Sequence, residues 1–120
     1  MKSHKNLDAW KIAMNLAKQV YQVTDHFPPK EQFGLVSQMR RCAVSIPSNI
    51  AEGAARQGTK EFIHFLHIAL GSCSELDTQI EIAMATNMAD GNMLSVLQDE
   101  TTRTMKLLSG LIRSLKSRKP

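Results

Sequence analysis

The sequence contains no long hydrophobic run, and this absence excludes a membrane-spanning helix. Of the 120 residues, 42% are hydrophobic and 22% are charged, which is typical of a globular domain. No apolar stretch approaches the roughly 18 residues that a membrane span requires. Lysines interrupt the first 18 residues, where a signal peptide would need an apolar segment. We therefore expect a cytoplasmic protein without a membrane partner.

Cysteine and aromatic residues are also scarce. Neither Cys42 nor Cys73 belongs to a metal-ligand motif, so we expect two small buried hydrophobic residues rather than a bridge. Aromatic residues make up 5% of the chain, and several occupy apolar-periodic positions, so base stacking is not indicated. A chain of this length can bury a sizeable core without metals or disulfides. The composition predicts one domain, residues 1–120, and no cofactor.

No segment shows the alternation of a β-strand, and apolar residues recur instead at three- and four-residue steps. Turn signals such as Pro28 with Pro29, Gly58 and the stretch ADGN divide this pattern. The predicted helices span about residues 7–26, 30–57, 60–88 and 92–117. The predicted buried seam of the last helix, which follows alternating three- and four-residue steps, consists of Leu94, Leu97, Thr101, Thr104, Leu108, Leu111 and Leu115. Four long helices with short connections predict an all-α fold, an up-and-down antiparallel four-helix bundle.

The apolar arc of the first predicted helix is wider than a bundle core requires. It extends from Leu7 and Trp10 to Leu16, Val23 and Ile12, over more than half of the circumference, whereas a stripe of about 100° suffices for a core. Excess apolar surface on a globular chain indicates a partner. We therefore expect the protein to self-associate through this helix and its neighbours.

The stretch RRCAVSIPSNIAEGAAR, Arg40 to Arg56, places Pro47 inside the second predicted helix. One interpretation is a continuous helix kinked at Pro47, because the proline ring removes a hydrogen bond and presses on the preceding turn. The other interpretation is two helices, the second capped by Ser48. The apolar phase continues from Ile46 to Ile50 across the proline, so the kinked helix is favoured.

Arg40 lies in the apolar arc of this helix, whereas Arg41 points to the polar side. A buried guanidinium requires a carboxylate or several carbonyl groups. The hypothesis is a buried or interfacial ion pair with Asp77 or Glu75, and the alternative is a side chain that extends to solvent. The predicted fold-and-assembly polar cluster consists of Arg40, Arg41, Ser45, Pro47, Asn49, Glu52, Arg56, Glu75 and Asp77.

Positive charge is concentrated towards both ends of the chain, which has a net charge of +4. Residues 1–20 contain four lysines and one aspartate, residues 21–100 contain five basic and ten acidic residues, and residues 101–120 contain six basic residues. Clustered cations neutralise phosphates without reading a sequence, and a symmetric oligomer would repeat the cluster. The candidate nucleic-acid-binding residues are Lys11, Lys18, Arg103, Lys106, Arg113, Lys116, Arg118 and Lys119.

Two short motifs resemble a phosphate-binding loop and a metal site, but the neighbouring residues that such sites need are missing. The stretch GAARQGTK resembles a phosphate-binding loop, yet it follows a predicted helix, and Thr59 precedes Lys60. Glu61 and His64 have the spacing of a di-iron bundle, which needs a second such pair and two further glutamates. No nucleophile and base are placed together by any motif. We predict neither a metal site nor an enzyme.

The segments RRCAVSIPSNIAEG and EFIHFLHIALGSCSEL resemble a family of bacterial four-helix-bundle proteins often encoded in intervening sequences of 23S ribosomal RNA genes. The resemblance covers about residues 6–117. The resemblance implies a homopentamer. It also implies a relationship to the accessory protein of diversity-generating retroelements, which resembles a basic, barrel-shaped pentamer and binds a reverse transcriptase. Cys42 and Phe33 depart mildly from the family pattern, in which alanine and tyrosine are usual.

Residues and resemblance together predict a non-catalytic, homo-oligomeric module that binds RNA, DNA or a nucleic-acid enzyme through a basic surface. The partners implied are further copies of the chain, nucleic acid, or a reverse-transcriptase-like protein. The alternative is a structural or protein-protein scaffold with no nucleic-acid role.

Overall fold

Four α-helices form the fold, and the computed structural model describes residues 4–118. The helices are α1 at Asp8–Thr24, α2 at Leu35–Ala55, α3 at Thr59–Ala85 and α4 at Gly91–Lys116. Short 3-10 helices, His4–Asn6 and Pro29–Glu31, precede α1 and α2. Each α-helix packs against two neighbours in the cyclic order α1, α2, α3, α4, and residues 4–118 contain no strand. The predicted antiparallel bundle is confirmed, and it is 50 Å long and 20 Å across.

The predicted start of the second helix at residue 30 is wrong. Residues Pro29–Glu31 form a separate 3-10 helix, and α2 begins only at Leu35. Gly34 has φ −108° and ψ −112°, a conformation outside the helical region, so the chain changes direction there. The other helix ends lie within three residues of their predicted positions.

The second helix is continuous through Pro47, so the two-helix interpretation is wrong. Pro47 is buried within α2, and the helix shows no break between Leu35 and Ala55. Asn49 supports this turn, because its Nδ2 donates to the carbonyl oxygen of Ser45 at 2.8 Å and to the Ser45 hydroxyl at 3.0 Å. The bend expected at the proline remains a prediction.

The core comes from the predicted apolar positions of all four helices. Fully buried large side chains include Leu16, Val20, Met39, Ile46, Ile50, Leu66, Leu76, Ile80, Leu94, Leu97 and Leu108. In α4, Thr101 and Thr104 are also fully buried, and each hydroxyl donates to a carbonyl oxygen of its own helix, at 2.9 Å and 2.8 Å. These internal hydrogen bonds allow a hydroxyl to be buried without an unsatisfied donor. Further along α4, Ile112 is buried, whereas the predicted Leu111 is only half-buried.

The helices α2 and α3 approach closely at Gly53. A Cβ atom at this buried glycine would lie 2.8 Å from Cβ of Phe65 and 2.9 Å from Cδ1 of Phe62. Real Cβ atoms are not found so close to neighbouring carbon atoms. The glycine is therefore required by the packing of two helices rather than by a turn.

Arg40 does not pair with Asp77 or Glu75 of its own chain, so the hypothesis of a buried pair within the bundle is wrong. Its Nη2 lies 2.9 Å from Oδ1 of Asp25, and its Nε donates to the Thr24 hydroxyl at 2.9 Å. Arg40 pairs with α1 because it projects from the side of α2 that faces α1. Asp77 faces the opposite neighbour of α3, where its carboxylate accepts a 3.2 Å hydrogen bond from Gln98 of α4.

Candidate functional site

The antiparallel topology brings the two basic segments of the chain to the same end of the bundle. The start of α1, the end of α4 and the turn between α2 and α3 all lie there. We call this half of the molecule the basic end. Its described basic residues are Lys5, Lys11, Arg56, Lys60, Lys106, Arg113, Lys116 and Arg118, and its acidic residues are Asp8, Glu52 and Glu61.

The opposite half carries the reverse balance, and we call it the acidic end. Its acidic residues are Asp25, Glu31, Glu75, Asp77, Glu81, Asp90, Asp99 and Glu100, and its basic residues are Lys18, Lys30, Arg40, Arg41 and Arg103. Charge is therefore separated along the 50 Å axis of the bundle. Such a separation creates a field that attracts a polyanion to one end only.

Most of the surplus charge of the basic end lies on α1 and α4. Lys11, Lys106, Arg113 and Lys116 are exposed, and none forms an ion pair with another residue of the range 4–118. Arg56 differs from them. Its guanidinium lies 2.7 Å from a carboxylate oxygen of Glu52 and 3.9 Å from one of Glu61, so its charge is locally neutralised.

The structure divides the predicted nucleic-acid-binding residues into two groups. Lys11, Lys106, Arg113, Lys116 and Arg118 lie together at the basic end. Lys18 and Arg103 belong to the acidic end, where Arg103 lies 3.8 Å from a carboxylate oxygen of Glu100. Lys119 lies outside the described residues.

Two further cations at the basic end were missed by sequence reasoning. Lys5 precedes α1, and Lys60 lies in the first turn of α3, where it is exposed. Lys60 was overlooked because it lies far in the sequence from the basic first and last segments of the chain. The predicted topology contained the necessary signal, since in an up-and-down bundle the second connection lies beside both chain ends.

The polar cluster predicted around Pro47 is spread over separate surfaces. The Ser45 hydroxyl lies 2.9 Å from that of Ser72 in α3, which ties the middle of α2 to α3. Asp77 and Glu81 both accept hydrogen bonds from Gln98, at 3.2 Å and 2.6 Å, between α3 and α4. These contacts join helices within one chain. A role of this cluster in assembly stays a prediction.

Neither cysteine is suited to nucleophilic chemistry. Both are free and buried, as predicted. Burial raises the pKa of the Cys73 thiol to about 12. Burial is also the main cause that raises the pKa of Cys42, a rise that a 3.4 Å hydrogen bond from Gln79 opposes and the nearby Glu75 reinforces. Because the thiolate is the reactive form, both thiols are unreactive at neutral pH.

No metal site is formed within the described residues. Residues 4–118 contain no group of three or more His, Cys, Asp or Glu side chains that could hold an ion. His64 and His67 are exposed, and the His64 ring contacts Phe65 rather than a carboxylate. In the same range, no helix is both long and apolar enough to cross a membrane.

An exposed apolar surface surrounds Arg40 between α1 and α2. Phe33 is 95% exposed, and Tyr21 and Val44 are nearly half exposed. They line a surface depression of about 590 Å³ together with Arg41. Most of the wide apolar arc of α1 is instead covered within the bundle, so the exposed apolar area depends on α2 and on the loop before it as much as on α1.

Comparison with known proteins gives a consistent picture. A family model described as "23S rRNA-intervening sequence protein" matches residues 5–110. A crystal structure of a protein of unknown function from the S23 ribosomal protein family of Bacteroides thetaiotaomicron superposes with a TM-score of 0.81. The two chains are 23% identical, and the match covers 88% of this chain and 95% of the other. A comparison with the curated proteins found no match.

Proposed function

This chain belongs to the 23S rRNA-intervening sequence protein family, and on that premise we propose that it is a non-catalytic, homo-oligomeric module that binds nucleic acid or a nucleic-acid enzyme. The ligand is RNA, DNA or a nucleic-acid enzyme such as a reverse-transcriptase-like protein. The binding surface is the basic end, and the protein acts in the cytoplasm.

One observation carries this proposal, the separation of charge along the bundle axis. Four exposed cations, Lys11, Lys106, Arg113 and Lys116, lie at one end without an ion pair to any residue of the range 4–118. Cations that neutralise phosphates release the counterions that were condensed on the nucleic acid, and this release drives non-specific binding. A surface whose cations served only solubility would be expected to intersperse both signs.

The apolar surface around Phe33 supports the homo-oligomeric part of the proposal. An aromatic side chain that is 95% exposed, next to Tyr21 and Val44, is typical of a contact with another protein. A symmetric oligomer would repeat the basic end in each subunit and strengthen the binding of a long polyanion through multivalency. Five copies are what the family resemblance implies.

A salt titration of binding tests the nucleic-acid role. The measurement is fluorescence anisotropy of labelled structured RNA between about 50 mM and 200 mM salt, a range in which phosphate contacts weaken strongly. The double variant Lys106→Glu with Arg113→Glu is expected to abolish binding at the higher salt. The matched control, Lys18→Glu with Lys30→Glu, changes charge equally at the acidic end and is expected to weaken binding only slightly.

The alternative function is a scaffold with no nucleic-acid role. The exposed apolar surface around Phe33 favours it, because that surface requires a protein partner and no phosphate. Binding that is absent at low salt, in a protein that still sediments as an oligomer, would establish the scaffold and reject our proposal. Equal losses in both double variants would show that net charge alone, and not the basic end, governs binding.

A further inference from the structure

The basic end combines cations on two adjoining helices with a lack of open aromatic side chains, and this combination bears on the form of nucleic acid that it fits. We infer that the basic end binds the phosphate backbone of a nucleic-acid duplex, RNA or DNA, in preference to a single strand. The inference rests on the proposed function and specifies the ligand of the same surface.

The aromatic side chains at the basic end are already engaged in packing. Trp10 is half-buried, and the centroid of the His4 ring lies 5.3 Å from that of its indole. Phe65 is half-buried, with the Arg56 guanidinium 5.1 Å from its ring centroid and the His64 ring against its edge. Phe62 is also half-buried and packs against the core, so no Phe, Tyr or Trp side chain among the described residues of this end is exposed.

The two exposed aromatic residues lie elsewhere. Tyr21 is near the end of α1, and Phe33 is in the loop before α2, so both belong to the acidic end. Binding of single strands depends on aromatic stacking, which contributes roughly 1–3 kcal/mol per base. A single strand could not contact these rings and the unpaired cations of the basic end within a short length. The distribution therefore disfavours a single-strand binding site.

The cations form an extended surface rather than a point. Lys106 and Arg113 are two turns apart on the same face of α4, about 10.5 Å along its axis, and Lys116 extends the surface to about 15 Å. Lys11 lies on the adjoining helix α1, one turn beyond Leu7 and Asp8, which line a depression together with Lys106. One carboxylate, that of Asp8, therefore also belongs to this surface. Between Lys106 and Arg113 lie Ser109 and Gly110, both half-buried, and a guanidinium nitrogen of Arg113 lies 3.8 Å from the position that a Cβ of Gly110 would take.

A duplex matches this surface better than a single strand does. Duplex DNA carries one phosphate charge per roughly 1.7 Å of its axis, about twice the density of one strand. The phosphates of a duplex are also held in place before binding, whereas a single strand must lose conformational freedom to meet a rigid row of cations. Serine hydroxyls beside the cations can donate to phosphate oxygens, which positions a duplex without reading its bases.

The experiment compares labelled duplexes of about 20 base pairs, two helical turns, with a single strand that has the same number of phosphates. The probes are duplex RNA, duplex DNA and an oligouridine that forms no secondary structure, with dissociation constants measured by anisotropy on the full chain. We expect either duplex to bind at least about tenfold more tightly than oligouridine. If four cations per protomer contact phosphates, affinity for the duplex falls roughly 150-fold between 50 mM and 200 mM salt. Tighter binding of one duplex type distinguishes RNA from DNA as the source of the backbone.

The double variant Lys106→Ala with Arg113→Ala tests whether the basic end makes the phosphate contacts. This variant is expected to reduce the slope of log binding constant against log salt concentration, measured with the duplex, by the equivalent of about two phosphate contacts. The control variant, Lys18→Ala with Lys30→Ala, is expected to leave this slope unchanged. Equal or tighter binding of oligouridine would overturn the duplex preference and leave the proposed function intact. Absence of binding to every probe at low salt would overturn both. Unchanged circular dichroism and sedimentation of each variant exclude misfolding as the cause.

Discussion

Arg40 holds the end of α1 through Asp25, whose Oδ1 lies 2.9 Å from the arginine Nη2. The same guanidinium donates to the Thr24 hydroxyl and lies 4.6 Å from the centroid of the Tyr21 ring. One side chain of α2 therefore closes the last turn of the neighbouring helix. The contact lies where the chain leaves α1 and enters the segment that carries the exposed Phe33.

We expect Arg40→Ala to lower the free energy of unfolding by about 1–2 kcal/mol. Most of this loss comes from the hydrogen bond to the buried Thr24 and from the contact with the Tyr21 ring. The ion pair contributes little, because the Asp25 side chain is 76% exposed. Urea denaturation measures the change, with Arg41→Ala as the control. Arg41 is exposed and forms no ion pair within residues 4–118, so its loss should change stability by less than about 0.5 kcal/mol. Equal effects of the two variants would contradict the prediction.

Gly53→Ala is expected to destabilise the protein by about 1–3 kcal/mol, because the new methyl group would force α2 and α3 apart at Phe65 and Phe62. Gly71→Ala is the matched control. Gly71 lies within α3, and a Cβ there has no neighbour within 4 Å, so the higher helix propensity of alanine should stabilise by up to about 1 kcal/mol. Thermal unfolding should therefore move in opposite directions for the two substitutions, and a stabilised Gly53 variant would refute the close approach.

Asp90→Ala should lower stability by about 1 kcal/mol through the loss of a helix cap. The Asp90 carboxylate accepts hydrogen bonds from the backbone N–H groups of Asn92 at 2.8 Å and of Met93 at 3.3 Å, at the start of α4. Asp90→Asn retains an acceptor and is expected to lose less. Chemical denaturation measures the stability of both variants, and the prediction requires the asparagine variant to be more stable than the alanine variant.

We expect the protein to lose stability at alkaline pH because of Cys73. Its folded pKa of about 12 lies above the ordinary value of 9.0, because burial disfavours the thiolate. The unfolded chain therefore releases this proton first, and stability falls as the pH rises from about 9 towards 12, by up to about 1.4 kcal/mol per pH unit. The variant Cys73→Ala should lack this component. Parallel pH profiles of the two proteins would show that the thiol does not titrate differently in the folded state.

Slow modification of the native protein provides an independent check of the thiols. Cys73 and Cys42 should react with a thiol reagent at pH 8 many times more slowly in buffer than in denaturant, because both are buried and their pKa values are raised. Rapid reaction of one thiol in native protein would place that cysteine in an open surface rather than in the core.

The helix pattern and most of the core could be predicted because each depends on local periodicity. In α4 the spacing of Leu94, Leu97, Thr101 and Thr104 alone identified the buried side of the helix, including two threonines that composition would assign to the surface. The start of α2 was mispredicted because Pro29 opens a short 3-10 helix as readily as an α-helix. A single sequence does not distinguish these two outcomes.

The sequence by itself determined the number of helices, their buried sides and the concentration of basic residues in the first and last segments, because these depend on neighbours along one chain. Only the tertiary structure decided the partner of Arg40. The periodicity of a helix gives the angle of a side chain but not which neighbour stands on that side, and here it is α1 rather than α3. The antiparallel packing likewise brought Lys60 to the same end of the bundle as Lys11 and Lys116, since residues distant in sequence share one end only when the helices associate.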